Sequence, residues 1–291
     1  MSLFTLSWGN HRLDLGRRTL VMGILNVTPD SFSDGGRFAT LDRAVTHGRR
    51  MAAEGADILD IGGESTRPFS DPVAEDEEKQ RVLPVIERLA KEIDIPISID
   101  TNKASVARAA LDAGASIIND VSALTFDSAM AGLAAEAGVP VILMHMQGNP
   151  KTMQQAPAYK DVTREVMAFL KAAADRAGAG GVDRAKIIVD PGIGFGKNLD
   201  HNLTLIKNLS AFEHLGLPLL IGTSRKAFIR KTLAGPDGQP APVDAPAVRL
   251  GTQATVTAAV LGGAHIVRVH DVADAVITVK LADAVKNAPD K

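Results

Sequence analysis

Cysteine is absent from this chain of 291 residues. Its absence excludes disulfides, thiolate zinc sites, iron–sulfur ligation and a cysteine nucleophile. Aromatic residues are also scarce, at 4% of the sequence, which disfavours a stacking platform for single-stranded nucleic acid. The hydrophobic residues, at 45%, are therefore mostly aliphatic, and they are numerous enough to form a sizeable core.

The chain carries little net charge and no long apolar run. Its 32 basic and 34 acidic residues leave a net charge of −2, which argues against a protein whose whole surface binds nucleic acid. Charged or turn residues interrupt every stretch that approaches the roughly 18 apolar residues of a membrane span, and no secretion signal opens the sequence. We therefore predict a cytoplasmic protein with no membrane span and no nucleic-acid partner.

Short runs rich in Val, Ile and Leu, each ending in Gly or polar residues, recur along the chain and predict buried parallel strands. Stretches with helical spacing of apolar residues separate them, as from residues 40, 75 and 102. The runs are LVMGILN from residue 20, DILDIGGES from 57, IPISIDTN from 95, ASIINDVS from 115, VPVILMHM from 139, KIIVDPG from 186, PLLIGTS from 218 and AHIVRVHD from 264.

This alternation of strand and helix predicts an α/β protein with the (β/α)8 TIM barrel fold, in one domain over residues 1–291. The alternative is an open doubly wound sheet, which usually has about five or six strands and often a GxGxxG turn after the first. No such turn follows the first run, so the barrel is favoured. Residues 3–15 predict an N-terminal β-hairpin with Gly9-Asn10 as its turn, and residues 234–247 form a Pro- and Gly-rich insertion.

In a βα barrel the site lies at the carboxyl ends of the strands, where each run reaches its polar residues. Asp100, Asn119 and Asp190 offer two carboxylates and an amide there, which suits a flat heterocycle with N–H donors. A helix cap is the alternative role for Asp100 and for Asp120. Basic side chains lie at the ends of the last two runs. Barrels commonly bind phosphate through cations in the loops after strands seven and eight. The polar residues of this rim are Asn26, Glu64 to Arg67, Asp100, Asn119, Asp120, Met144, His145, Asp190, Ser224 to Lys226, Arg268 and His270.

Eight segments on these strand ends are distinctive as a set. They are GILNVTPDSFSDGG (23–36), GGESTRP (62–68), SIDT (98–101), IIND (117–120), MHMQGNP (144–150), DPGIGFGK (190–197), SRK (224–226) and RVHDV (268–272). Together they resemble the dihydropteroate synthase family of folate biosynthesis, in the family's order and over essentially the whole chain. The resemblance implies a transferase that condenses 6-hydroxymethyl-7,8-dihydropterin diphosphate with 4-aminobenzoate, giving 7,8-dihydropteroate and diphosphate.

The resemblance also implies three groups of binding residues. Those expected to hold the pterin are Asp100, Asn119, Met144, Asp190, Lys226 and Arg268. Those expected to hold the diphosphate are Asn26, Thr66, Arg268 and His270. Those expected to line the 4-aminobenzoate site, where sulfonamides compete in the family, are Thr66, Arg67, Pro68, Gly194, Phe195, Ser224 and Lys226.

The implied chemistry requires no covalent catalytic residue. Arg268, His270 and Lys226 would stabilise the charge that grows as diphosphate leaves, along a dissociative path. The sequence contains no HExxH or paired-His zinc motif, and Asn26 is the expected ligand of a Mg²⁺ cofactor held mainly by substrate phosphates. The resemblance further implies a homodimer.

Two departures from the family pattern are mild: Asn102 stands where Ser is more usual, and the 234–247 insertion, which is longer than typical, could alter the dimer surface. A pterin-binding methyltransferase barrel is a second interpretation, but it would not need the Asn26 loop or the GGESTRP segment. A barrel that binds pterin without catalysis is a third, and loss of Arg67, Lys226 or His270 would have indicated it.

Overall fold

Eight parallel strands, each followed by helix, form the centre of the molecule, as the apolar runs predict. The structure is a computed structural model that describes residues 2–27, 37–65, 71–149 and 151–289. Val, Ile and Leu fill the strands and are buried, as expected where helices cover a parallel sheet. The barrel strands are β3 (Leu20–Asn26), β4 (Ile58–Gly62), β5 (Ile97–Asp100), β6 (Ile117–Asp120), β7 (Val141–Met144), β8 (Ile187–Asp190), β9 (Leu220–Ile221) and β10 (Ile266–Val269).

The strands are hydrogen-bonded in the order β8, β7, β6, β5, β4, β3, β10, β9. An isolated parallel bridge between Val189 and Leu219 joins the two end strands, and the Val189 N–H donates to the Pro218 carbonyl at 2.9 Å. The sheet therefore curls into a nearly closed barrel rather than an open doubly wound sheet, which confirms the predicted (β/α)8 fold. That residues 1–291 form a single domain stays a prediction.

Helices cover the outside of the barrel. Local signals begin several of them: the Asp161 carboxylate accepts from the Arg164 N–H at 3.1 Å, and Asn198 and His201 form a capping box. The helices are α1 (Arg37–Ala53), α2 (Glu75–Leu89), α3 (Ala104–Asp112), α4 (Met130–Ala137), α5 (Val162–Ala179), α6 (Leu199–Lys207), α7 (Ala227–Thr232), α8 (Pro246–Leu261) and α9 (Val272–Lys286), with 3-10 helices at Arg184–Lys186 and Leu209–Leu215. Across the described ranges, none of these is both long and apolar enough to cross a bilayer.

The predicted N-terminal hairpin is confirmed. Its strands β1 (Phe4–Trp8) and β2 (His11–Leu15) pair antiparallel around Gly9-Asn10, and Gly9 has a φ of +49°, which suits glycine. Leu6 and Leu15 are buried, and the His265 ring, which directly precedes β10, lies 3.1 Å from the Ser2 carbonyl. The hairpin thus covers the amino-terminal end of the barrel.

The predicted insertion needs one correction at its end. Residues 234–245 are irregular and mostly exposed, but 246 and 247 already belong to α8. Pro246 is at the first turn of that helix, where its fixed φ and missing N–H are tolerated. Reciprocal hydrogen bonds between Arg230 and Ala241, at 2.7 and 3.0 Å, hold the insertion against the end of α7.

Candidate active site

The polar rim predicted from the sequence lies at the carboxyl ends of the barrel strands. Asn26, Asp100, Met144 and Asp190 are the last residues of β3, β5, β7 and β8. Asn119 and Arg268 lie inside β6 and β10, and Gly194, Phe195, Ser224, Lys226 and His270 follow the last three strands. Thr66, Arg67 and Pro68 are outside the described residues, as are residues 28–36 of the first loop.

A buried guanidinium ties the centre of this rim together. The Arg268 Nε donates to Asp60 Oδ2 at 2.5 Å, and its NH2 group donates to Asp100 Oδ2 at 2.8 Å. Asn119 Nδ2 donates to the same Asp60 oxygen at 3.0 Å. The other Asp60 oxygen, Oδ1, is buried with no hydrogen-bond partner in the described chain. Side chains of β4, β5, β6 and β10 thus form one network with acceptor capacity left over.

Burial dominates the titration of the rim. It raises the pKa of Asp100 to about 7 although the Arg268 charge opposes the shift, and the neighbouring Asp60 charge adds to it. Burial also raises the pKa of Asp190, although the Gly192 N–H and the Lys226 charge oppose it. The Lys226 ammonium is buried beside Arg268, and its pKa falls to about 8. Burial thus disfavours the charged form of all three groups. Residues with pKa values shifted in this way cluster at functional sites.

The loop after β8 begins with a turn around the Asp190 carboxylate. Asp190 Oδ1 accepts from the Gly192 N–H at 2.7 Å, and Gly192 has a φ of +68°. A Cβ at Gly192 would lie 1.9 Å from the His145 carbonyl oxygen, so any side chain would displace the loop from β7. This glycine therefore fixes the direction in which Asp190 faces the rim.

Phe195 and Lys226 face each other across the rim. The Lys226 Nζ is 4.1 Å from the centroid of the Phe195 ring, a cation–π contact between the loops after β8 and β9. A Cβ added at Gly194 would lie only 3.2 Å from Lys226 Cδ, so glycine at this position lets the Lys226 side chain approach the loop closely. Phe195 also packs into a separate apolar cluster, whose other members are Val121, Met144, Met146 and Met153.

Ser224 lies beside His270, which links the last two loops. The Ser224 Oγ accepts from the His270 N–H at 3.2 Å and lies 3.0 Å from His270 Nδ1. Next to this pair, the Arg225 guanidinium makes two hydrogen bonds to the Asp271 carboxylate, at 3.1 and 2.6 Å. Two adjacent contacts therefore hold the SRK segment against the end of β10.

Sequence reasoning missed two buried charged residues, Asp60 and Lys197. The polar residues that follow each strand do not include Asp60, because it lies inside β4, in the pattern ILDIG. A carboxylate within a buried apolar strand is itself a signal, because an ionised side chain is almost never fully buried without a partner. Lys197 ends the quoted segment DPGIGFGK, but no role was assigned to it.

The helix-cap alternative is wrong for both aspartates, because the helices that follow them, α3 and α4, begin at Ala104 and Met130 without a side-chain cap. Asp120 accepts from the Ser122 N–H at 2.8 Å and the Leu124 N–H at 3.0 Å, so both of its oxygens serve the local turn. Asp100 instead pairs with Arg268, and the Thr101 hydroxyl accepts from the Lys103 N–H before α3. Asp100 therefore belongs to the site, and Asp120 supports the backbone beneath it.

A magnesium ion has one candidate protein ligand among the predicted residues. Asn26 is half-buried at the end of β3, and its amide supplies an oxygen of the type that Mg²⁺ binds. The described part of the chain contains no group of three or more His, Asp or Glu side chains placed to hold a metal. The donor set fits an ion bound through one amide oxygen and ligand phosphates.

Comparisons with known proteins show which family the chain resembles over most of its length. A family model for pterin binding enzymes matches residues 22–270. The chain is similar to the dihydropteroate synthase of Synechocystis, with 49% identity over 277 residues that cover 95% of this chain and 93% of the relative.

Two solved structures are also similar to it. The Yersinia pestis dihydropteroate synthase, in complex with a sulfonamide drug, superposes with a TM-score of 0.88 at 44% identity, covering 98% of this chain and all of that one. The Xanthomonas albilineans dihydropteroate synthase, with 4-aminobenzoic acid, gives a TM-score of 0.87 at 43% identity, over 99% and 100% of the two chains.

Proposed function

The chain belongs to the dihydropteroate synthase family of pterin-binding enzymes and is a transferase, and from this membership we propose that it condenses 6-hydroxymethyl-7,8-dihydropterin diphosphate with 4-aminobenzoate. The products are 7,8-dihydropteroate and diphosphate. The observation that carries the proposal is the buried network of Asp60, Asp100, Asn119 and Arg268 at the catalytic end of the barrel. Its acceptor groups match the amino and ring N–H donors of a pterin.

The pterin is held by Asp100, Asn119 and Asp190, with Met144, Lys226 and Arg268 around the ring. Buried carboxylates are costly without partners, and ligand N–H groups supply those partners only when the pterin is bound. The raised pKa of Asp100 and of Asp190 supports this role, because both acids are held against their charged form in the described structure. Part of the binding free energy therefore comes from satisfying groups that folding leaves strained.

The second substrate binds against Phe195 and Lys226. The ring packs on Phe195, and Lys226, which contacts that ring, and Ser224 line the same site. Thr66, Arg67 and Pro68 complete this site in the proposal, although they are outside the described residues. The Xanthomonas enzyme is solved with 4-aminobenzoic acid and the Yersinia enzyme with a sulfonamide, which supports a 4-aminobenzoate site in this chain at which sulfonamides compete.

The reaction breaks the bond between the pterin methylene carbon and the diphosphate oxygen, and forms a bond from that carbon to the arylamine nitrogen. The bonding electrons leave with diphosphate, and the nitrogen then loses a proton. The pterin ring shares electron density with the methylene carbon, so the path is dissociative and needs no covalent enzyme intermediate. Arg268, His270 and Lys226 stabilise the departing negative charge.

Asn26 would hold a Mg²⁺ ion together with the diphosphate in this proposal, and Thr66 and His270 would bind the diphosphate. Such an ion would neutralise charge on the leaving group. The His270 side chain is already oriented by Ser224, so the protein positions this end of the substrate through a preformed contact.

A second copy of the chain is the proposed partner. Exposed large apolar side chains are concentrated on α8 and α9, which pack against each other, and a homodimer would remove them from water. Light scattering after size-exclusion chromatography measures the oligomeric state. Leu281→Lys is expected to favour the monomer, and a monomeric wild type would contradict the proposed dimer. The cytoplasmic location and the lack of nucleic-acid partners stay predictions. The residues concerned are Leu250, Leu261, Ile277, Leu281 and Val285.

The decisive experiment is a product assay. Purified protein with Mg²⁺ is expected to consume the pterin diphosphate only when 4-aminobenzoate is present, and to yield 7,8-dihydropteroate detectable by mass spectrometry. Reactions that omit either substrate or contain a chelator are the controls. Absence of product with both substrates and metal at saturating levels would contradict the proposal.

A further inference from the structure

Lys197 is a buried amine beneath the rim that the proposed reaction does not use. Its side chain is 2% exposed, and its Nζ donates to the Phe195 carbonyl at 2.9 Å. The same nitrogen lies 2.8 Å from His145 Nδ1 and 3.5 Å from the His145 carbonyl. Three polar atoms therefore surround the Lys197 amine, whose pKa is lowered by burial to about 7.

His145 is suited to the acceptor role. Burial and the Lys197 charge lower its pKa to about 3, so the imidazole is neutral and Nδ1 can accept a hydrogen bond. The ring is fixed from its other side by an edge contact with Phe169, at 4.8 Å between centroids. Because His145 directly follows β7, Lys197 connects the loop after β8 to the end of the neighbouring strand.

The loop that Lys197 holds has little rigidity of its own. Gly192, Gly194 and Gly196 all have positive φ, at 68°, 85° and 61°, so the backbone there is not restricted by side chains. Groups from elsewhere fix its path instead. Asn202 Oδ1 accepts from the Gly194 N–H at 2.7 Å, Gln154 donates to the Gly194 carbonyl at 2.6 Å, and Tyr159 donates to the Gly196 carbonyl at 2.8 Å.

Among these contacts, the one from Lys197 holds Phe195, whose ring lines the proposed site of the second substrate. The Phe195 carbonyl is its acceptor, and the Phe195 ring is the surface that faces the Lys226 Nζ at 4.1 Å. Resting on the function proposed above, we propose that Lys197 is a positioning residue for the second substrate, which acts by holding Phe195 against Lys226. Loss of its amine would let the Phe195 backbone move and would weaken 4-aminobenzoate binding.

The pterin site should be affected much less. The Asp190 carboxylate is held by the Gly192 N–H, before the part of the loop that Lys197 contacts. The Lys197 charge does act on Asp190, although more weakly than burial, Gly192, Lys226 and Arg268. A positioning role therefore predicts unequal effects on the two substrates, whereas a general structural role predicts equal ones.

Lys197→Met tests this, since it removes the amine and keeps most of the side-chain volume. We expect the KM for 4-aminobenzoate to rise at least tenfold, while kcat and the Kd for the pterin, measured by calorimetry, change by less than threefold. The matched control is Lys186→Met, because Lys186 Nζ also donates to a backbone carbonyl, that of Gly138 at 2.5 Å, but at the opposite end of the barrel. That control should leave both constants unchanged.

A KM within twofold of wild type, or equal loss of affinity for both substrates, would overturn the proposal. If Lys197→Met does not fold, His145→Phe decides, because it removes one acceptor and keeps a ring against Phe169. It should raise the same KM by a smaller factor, and an unchanged KM would also overturn the proposal. An active wild type with unaffected variants contradicts the role of Lys197 alone, whereas an inactive wild type contradicts the proposed function and with it this role.

Discussion

At the amino-terminal end of the barrel, the carboxylates of Asp57 and Asp283 are hydrogen-bonded by the chain itself, whereas at the carboxyl end the Asp60 carboxylate keeps one oxygen without a partner in the described chain. Asp283 accepts from both the N–H and the hydroxyl of Thr19, at 2.7 and 2.9 Å, and Asp57 accepts from the Val21 N–H at 2.9 Å. At the other end, Asp60 Oδ1 has no partner in the described chain, and burial raises the pKa of Asp100. The same barrel uses carboxylates for stability at one end and, in the proposed function, for recognition at the other.

Asp190→Asn, at the carboxyl end of the barrel, should give the largest effect, which is a loss of pterin affinity without a loss of stability. The amide can still accept from the Gly192 N–H, but its NH2 group would meet the N–H donors of the pterin. Hydrogen bonds to charged groups contribute about 1.5–3 kcal/mol, so pterin affinity should fall by about 100-fold in calorimetry. The melting temperature should not fall, because a buried charge is removed. Asp175→Asn, on the exposed Lys171 pair, is the control.

Asp283→Ala should give the next largest effect, with the opposite signature. It leaves the buried N–H and hydroxyl of Thr19 without their acceptor, so the free energy of unfolding should fall by about 2 kcal/mol in urea titrations. Pterin affinity should stay unchanged, because the change is at the far end of the barrel. A parallel loss of affinity would show that the two ends are not energetically separate.

The pH dependence of pterin binding tests whether Asp100, at the carboxyl end of the barrel, must be ionised to bind the ligand. Its pKa of about 7 is raised, so the protonated form is favoured in the described structure below that pH. The pterin donors need the carboxylate, so binding releases a proton, and affinity should rise about eightfold from pH 6 to 7.5. Calorimetry in buffers of different ionisation enthalpy measures the release. Asp100→Asn should bind weakly and with a flatter pH profile.

His265 should give the smallest effect, at the stable end. Its Nδ1 accepts from the Leu219 N–H at 3.1 Å, and burial lowers its pKa, so the fold favours the neutral ring. The stability contributed is present above the ordinary pKa of about 6.5 and is lost as the pH falls below it. The difference in unfolding free energy between wild type and His265→Phe should therefore shrink from pH 7.5 to 5. A constant difference would contradict this assignment.

Much of the fold and of the polar rim at the carboxyl end could be predicted from the sequence, because the strand ends of a βα barrel meet on one rim. Asp100, Asn119 and Asp190 were found by following apolar runs to their polar ends, and the geometry unites the first two through Arg268 and Asp60. What could not be predicted depends on contacts between distant segments. Lys197 gains its meaning from His145, more than 50 positions away, and no local pattern indicates that they touch.

The shortness of β9 has a consequence for how the barrel moves. This strand has two residues, and an isolated bridge joins its side of the sheet to β8. Backbone amides along such a seam open with the least cooperative cost, so we expect Val189 and its neighbours to exchange hydrogen faster than the strands opposite. The loops that follow β8 and β9 carry Phe195 and Lys226. Breathing of the barrel would thus change the contact between these two side chains.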